Sequence, residues 1–159
     1  MLLRKILLTS VLLSICIISA LYLRYFLLNN ELNSTQLLKF LVVSLNLEYT
    51  VNTGINFGLA GEATSSRQFL LATLSVLNCL GALIWGMIAT SKWAVIIASL
   101  LAGGGLANAY ERIAFGGVFD YLNVSLSFFA NPYSFNIADI YIFIGALMFI
   151  FRPQIKAYE

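Results

Sequence analysis

Four long apolar runs, at residues 6–28, 69–89, 93–110 and 135–151, constrain this chain of 159 residues more than anything else in it. Crossing the hydrocarbon core of a bilayer takes about 17–25 residues of helix, and each run meets that length. In lipid every backbone N–H and C=O must be paired within the protein, so the runs are expected as helices rather than open strands. Only 10% of the residues are charged and 60% are apolar, whereas a soluble domain carries about 25% charged residues. Lipid rather than water must therefore cover much of the surface. The net charge of +2 is too small to mark a nucleic-acid partner. The length suits a single domain over residues 1–159.

Arg4-Lys5 followed by an apolar stretch has the outline of a secretory signal. The stretch nevertheless continues to Leu28, interrupted only by Arg24, and no A-x-A cleavage site follows, so it is expected as a retained helix. With the N-terminus inside, the short inner pieces carry Arg4, Lys5, Lys92, Arg152 and Lys156, and the longer outer segments carry Arg24, Lys39, Arg67 and Arg112. The density of Lys and Arg thus predicts both termini on the cytoplasmic side. Six of the seven acids, Glu31, Glu48, Glu62, Glu111, Asp120 and Asp139, then fall at the outer side.

The outer segments differ in pattern. Residues 43–52 alternate strictly between apolar (Val43, Leu45, Leu47, Tyr49, Val51) and polar (Ser44, Asn46, Glu48, Thr50, Asn52). That period of two predicts a strand with one wet and one greasy face, closed by a turn at Asn52-Thr53-Gly54. Residues 111–134, with Gly116-Gly117 and Asn131-Pro132, are expected as a loop anchored at the interface by Phe119, Tyr121, Phe128, Phe129 and Tyr133.

Histidine is absent, which removes Ser-His and Cys-His nucleophile pairs and HExxH zinc sites. Cys16 and Cys79 each lie inside an apolar run, without metal-ligand or CxxC spacing. The chain holds two aspartates, Asp120 just after the third run and Asp139 near the start of the fourth. Acids at membrane depth are costly and point to function. Two carboxyl groups brought close cannot easily both ionise, so one can serve as base while the other holds a proton. The plainer alternative makes Asp120 a solvated loop acid and Asp139 a helix cap. Asn136 falls near the face of Asp139, three residues on, and Asn108 and Arg112 lie four apart at the end of the third run. Arg112 is placed to hold an acid or a peptide carbonyl. Gly103-Gly104-Gly105 permits close helix approach.

Four motifs, in order, carry a resemblance: residues 52–58 (NTGINFG), 103–112 (GGGLANAYER), 117–121 (GVFDY) and 135–139 (FNIAD). Together they closely resemble the motif series of the lipoprotein signal peptidase (signal peptidase II) family, over nearly the whole chain. The resemblance implies an all-α membrane protein of four transmembrane helices with a small extracytoplasmic β-cradle near residues 39–60. It implies an aspartyl endopeptidase that cleaves diacylglyceryl-modified prolipoproteins before the lipidated cysteine, with Asp120 and Asp139 as the catalytic pair. Asn52, Gly54, Asn108, Arg112, Asn136 and Ala138 would bind substrate or support the site. No metal and no cofactor are implied. The implied setting is a monomer in the bacterial cytoplasmic (inner) membrane, with membrane lipid and prolipoproteins as partners and the active site at the outer face. Two departures stand out. The family usually has Gly-Asn-x-x-Asp-Arg where this chain has Ala107-Asn108-Ala109-Tyr110-Glu111-Arg112, and it tends to have Asp and Lys four apart where Ala20 and Arg24 stand. A catalytically silent membrane scaffold that binds lipoprotein signal peptides is the alternative from another class.

Overall fold

Small residues decide which helix sits at the centre. The computed structural model describes residues 2–30, 36–40, 43–54, 64–126, 128 and 133–152. In chain order they form α1 (Leu2–Asn29), β1 (Gln36–Phe40), β2 (Val43–Asn52), α2 (Ser65–Ile88), α3 (Lys92–Phe115), β3 (Val118–Leu126), β4 (Ser134–Phe135) and α4 (Ile137–Ile150). Helix α3 is the buried one, and its burial follows from Gly103, Gly104 and Gly105. Successive helical residues point about 100° apart, so the three face three different neighbours. A Cβ at Gly103 would strike Cys16 of α1, one at Gly104 the Ala138 carbonyl of α4, and one at Gly105 the Cys79 sulfur of α2. All three partner helices therefore approach α3 more closely than any side chain would allow. Helices α1 and α2 instead expose large apolar side chains such as Leu3, Ile18, Phe69 and Ile84 along their outer faces, as a lipid-facing surface requires.

Among the described residues, α1, α2 and α3 are long and apolar enough to cross a membrane. The fourth expected span is corrected at its start. Phe135 pairs in the sheet opposite Leu122 and Asn136 caps the helix, so α4 is an apolar helix of 14 residues, about 21 Å long at 1.5 Å per residue.

The sheet is antiparallel throughout, in the order β1-β2-β3-β4. Strand β2 is the segment the alternation predicted. The expected loop at 111–134 is corrected: helix α3 runs on to Phe115 and ends at Gly116, whose φ of 74° suits glycine, and residues 118–126 are strand β3. Strand β3 pairs with β2 from Val43↔Leu126 to Asn52↔Val118, with a register shift between Leu47 and Thr50. Leu27 of α1, Leu47 of β2, and Phe119 and Tyr121 of β3 form the apolar seam that fastens sheet to helices. The whole is a helical membrane protein with a small sheet, as expected. Residues 55–58 of the first motif, Phe129 and Asn131-Pro132 lie outside the described residues.

Candidate active site

The two aspartates come from different elements and meet through asparagines. Asp120 stands in β3 and is 2% exposed, held against the end of β2 by the strand pairing. The Asn52 side chain donates to Asp120 Oδ2 at 3.0 Å, and its own oxygen accepts the Gly54 N–H at 3.2 Å. The turn glycine thus orients the amide that holds the carboxylate. Asp139 is the third residue of α4 and closes a capping box: Asn136 Oδ1 accepts the Asp139 N–H at 3.0 Å, and Asp139 Oδ2 accepts the Asn136 N–H at 3.0 Å. Asn108 Nδ2 donates to the other oxygen, Asp139 Oδ1, at 2.8 Å.

Asn136 joins the two halves. Its Nδ2 donates to Asp120 Oδ1 at 3.0 Å and to Asn108 Oδ1 at 3.1 Å. An amide NH₂ has two protons, and here both are used. The result is a continuous chain, Asn52–Asp120–Asn136–Asn108–Asp139, in which each of the four carboxylate oxygens accepts an N–H. Gly104 makes this possible, because its contact with the Ala138 carbonyl brings Asn108, one turn further along α3, level with the start of α4. Ala138, Ala107 and Ala20 pack together as a buried cluster beside the start of α4.

Burial is the main influence on Asp120 and pushes its carboxyl up to about 6. The hydrogen bonds from Asn52 and Asn136 pull it down, and the nearby negative charges of Asp139 and Glu111 push it up. Tyr121, 2% exposed, has its phenol raised by burial, and its oxygen accepts the Ile137 N–H at 3.1 Å. That bond ties β3 to the first turn of α4, one residue beyond each of the two groups it links to the site.

Arg112 reaches a carbonyl rather than a carboxylate. Its Nη1 donates to Gln68 Oε1 at 3.1 Å and to the Asn52 carbonyl at 3.5 Å. Gln68, 3% exposed, also donates to the Thr53 carbonyl. It clamps the turn that carries Asn52, a role the sequence reading missed. Its one signal was an amide in the first turn of a long, mainly apolar helix. The Glu111 departure is accounted for: its carboxylate, 4% exposed as a residue, accepts the Phe119 N–H at 2.8 Å and lies 3.4 Å from Arg24 Nε. The Arg24 guanidinium lies 3.6 Å from the centre of the Phe115 ring. The longer acid and the arginine thus meet across α1 and α3 and fix the backbone next to Asp120.

Asp139 heads an apolar groove of about 530 Å³, lined also by Phe135, Ile140, Ile142, Phe143 and Ala146. A second groove of about 630 Å³ runs past Arg112 and Gln68, bounded by Ser65, Ser66, Phe69, Ile113 and Gly116. An apolar groove reaches one carboxylate, and a groove of mixed polar and apolar lining reaches the arginine.

Fold and site together define a polytopic α-helical membrane protein with paired carboxylates where the helices meet a small sheet. The chain belongs to the signal peptidase (SPase) II family, whose description matches residues 12–153. It is similar to the lipoprotein signal peptidase of Methylocella silvestris, 31% identical over 113 residues, covering 71% of this chain and 66% of that protein. It is also similar to those of Methylobacterium radiotolerans (34% identical, 60% and 56% covered) and Psychromonas ingrahamii (33%, 65% and 61%). In each comparison the chain spans just under two thirds of the relative's length, or less. A solved chain described as a bacterial membrane enzyme at 2.3 Å has the same fold, with a TM-score of 0.69 at 19% identity over 95% of this chain and 89% of that one.

Proposed function

We propose that this protein is an aspartyl endopeptidase that removes signal peptides from diacylglyceryl-modified prolipoproteins, cleaving before the lipidated cysteine. The substrate class rests on the family and on its relatives' names. The aspartyl mechanism rests on one observation: a single residue, Asn136, donates to Asp120 while its backbone N–H and side-chain oxygen clip Asp139. Such a clamp fixes two acids at one spot far more firmly than a solvated loop acid and a simple cap would need.

In the proposed reaction Asp139 takes a proton from water as the water oxygen attacks the scissile carbonyl carbon. Asp120, whose protonated form is favoured by burial, gives its proton to the carbonyl oxygen. The gem-diol then collapses. The C–N bond breaks, Asp139 protonates the leaving amine, and Asp120 regains a proton from one of the gem-diol hydroxyls. Arg112 holds the turn bearing Asn52, and the mixed groove beside it, with Ser65, Ser66 and Gln68 among its lining, is suited to a peptide backbone. The apolar groove below Asp139 is suited to a chain that never leaves lipid. The orientation follows the Lys and Arg bias, with termini inside and the carboxylates at the outer face.

The test is cleavage of a diacylglyceryl-modified prolipoprotein by purified protein in detergent or lipid. Asp120→Asn and Asp139→Asn are each expected to cut turnover by about 10³-fold or more, within the range of lost acid–base catalysis, while the folded state persists. Near-normal turnover in both variants would end the aspartyl assignment. Wild-type protein that binds substrate without cutting it would support the scaffold alternative instead.

A further inference from the structure

Gln68 uses the two ends of one amide on two different elements. Its Oε1 accepts Arg112 Nη1 of α3 at 3.1 Å, and its Nε2 donates to the Thr53 carbonyl in the turn after β2. A guanidinium can only donate and a carbonyl can only accept, so a single orientation of the amide serves both. No carboxylate, ammonium or thioether of similar length could do the same. Gln68 is 3% exposed although it stands in the first turn of α2. Both bonds are therefore made away from water, where an unpaired amide end is costly.

The turn is gripped on either side of Thr53 as well. Arg112 Nη1 reaches the Asn52 carbonyl at 3.5 Å, and the Arg67 guanidinium packs so close to Gly54 that a Cβ there would strike Nη2. What the turn carries is the Asn52 side chain. Its Oδ1 accepts the Gly54 N–H at 3.2 Å, a bond two residues along that ties side chain to backbone. Its Nδ2 is thereby aimed at Asp120 Oδ2, 3.0 Å away. An unbroken line runs from α2 through the Thr53 carbonyl and Asn52 to one acid, while none of the described hydrogen bonds joins Gln68 to either aspartate.

We propose that Gln68 is a positioning residue of the aspartyl site: by holding the Thr53 carbonyl and Arg112 together, it keeps the Asn52 amide on Asp120. Its bearing on turnover rests on the aspartyl reading above; its bearing on the Asp120 proton does not. Burial raises Asp120 to about 6, and the Asn52 hydrogen bond is the largest influence opposing that rise. Around the same carboxyl stand Asp139 of α4, Glu111 and Arg112 of α3, and the Asn136 amide. Of these Arg112 alone is also bonded to Gln68, and a protein without the Asn52 amide separates its influence.

The chain's two aspartates make the test direct. Full-length protein in detergent, labelled with ¹³C at the aspartate side-chain carboxyls, gives two titrating signals, and Asp139→Asn assigns them. Gln68→Met keeps the length of the side chain and removes both polar ends. It should raise the Asp120 midpoint by about one pH unit, because the charged form loses a well-placed donor. Gln68→Asn, which keeps an amide too short to span both partners, should raise it by about half as much and serves if the methionine variant does not fold. In Asn52→Ala protein, which lacks the donor already, adding Gln68→Met should move the midpoint by less than about 0.2. Thr73→Ala, on the exposed face of α2 where its Oγ1 bonds to the Phe69 carbonyl of the same helix, should leave it. With the proposed substrate, kcat of Gln68→Met should fall about tenfold, within the cost of a small misplacement of an acid. An unchanged or lowered midpoint in the Gln68 variants overturns the proposal. The same rise with and without Asn52 overturns it too, since the influence would then pass through Arg112, as does an effect on KM alone, which would make Gln68 only a wall of the mixed groove. The titration needs no cleavage, so it decides the role of Gln68 even where the peptidase reading fails.

Discussion

Two helix N-caps, at opposite ends of the bundle, do the same local job with different consequences. Ser91 starts α3: its Oγ accepts the Trp93 N–H at 3.2 Å and its carbonyl accepts the Ala94 N–H at 3.2 Å. Asn136 starts α4 and likewise accepts a first-turn N–H on its side-chain oxygen. Both satisfy donors that a helix leaves orphaned. The difference lies in what each side chain has left over. The capping oxygen of serine leaves one hydroxyl proton, whereas the capping oxygen of asparagine leaves an NH₂ with two protons. Those two protons reach Asp120 and Asn108. A helix start becomes part of a site when the capping residue keeps unspent donors and a carboxylate is brought within their reach.

The largest effect should come from turning one cap into the other. Asn136→Ser keeps a good cap and removes both donors. Helix α4 should still form, with an unfolding midpoint lowered by the two buried hydrogen bonds that are lost. Turnover of the proposed substrate should fall roughly a hundredfold, the scale on which one preorganised donor acts. Unchanged turnover in a folded Asn136→Ser protein would mean that the clamp is only a cap, and the two ends would then be alike.

Next in size is the dependence on pH. Burial raises Asp120 to about 6, and the proposed reaction needs it protonated, so kcat/KM should decline above about pH 6. Because the Asn136 hydrogen bond favours the charged form, Asn136→Ser should move that decline to higher pH. Stability carries the same sign. Between its unfolded value, about 3.9, and about 6 the folded state binds this proton more tightly than the unfolded one. The contribution of Asp120 is therefore fully present below pH 4 and is lost as the pH rises through 6. Unfolding midpoints measured from pH 4 to 7 should show this loss, and Asp120→Asn should flatten it.

The ends also differ in how far they could be read from sequence. The apolar runs, the alternation at residues 43–52 and the two aspartates, one of them with Asn136 three residues before it, were visible, because each is a local pattern with a fixed period or a rare residue. The pairing of Asn136 with both acids was not, since it depends on how closely α4 approaches Gly104, a distance no spacing encodes. Strand β3 was hidden for a related reason. Its residues 118–121 are buried on both faces, with Phe119 and Tyr121 packed against Leu27 of α1, so period-two alternation is erased where the strand matters most. The fourth run lost its first two residues from the helix, because Phe135 found a strand partner in β3 and Asn136 caps α4. Gln68 and the Arg24–Glu111 pair involve residues more than ten positions from their partners, and only the fold brings them together. At the basic end, by contrast, the charges themselves were legible, while the bonds from Lys5 to the Met87 and Ala89 carbonyls at the end of α2 were not.

The smallest effect belongs to the other cap. Ser91→Ala removes the bond to Trp93 N–H and nothing else described, and losing a serine cap typically costs about 1 kcal/mol. The unfolding midpoint should drop by a few degrees for a chain of this size. Turnover measured well below that midpoint should stay within about twofold of wild type, because Ser91 lies at the far end of α3 from Asn108. Read beside Asn136→Ser, the result separates two kinds of capping residue: one whose loss is felt as stability with chemistry intact, and one whose replacement removes chemistry as well. If Ser91→Ala lowered turnover as much as Asn136→Ser does, the two ends of α3 would be coupled through the helix itself, and the clamp at Asn136 could no longer be treated as a local device.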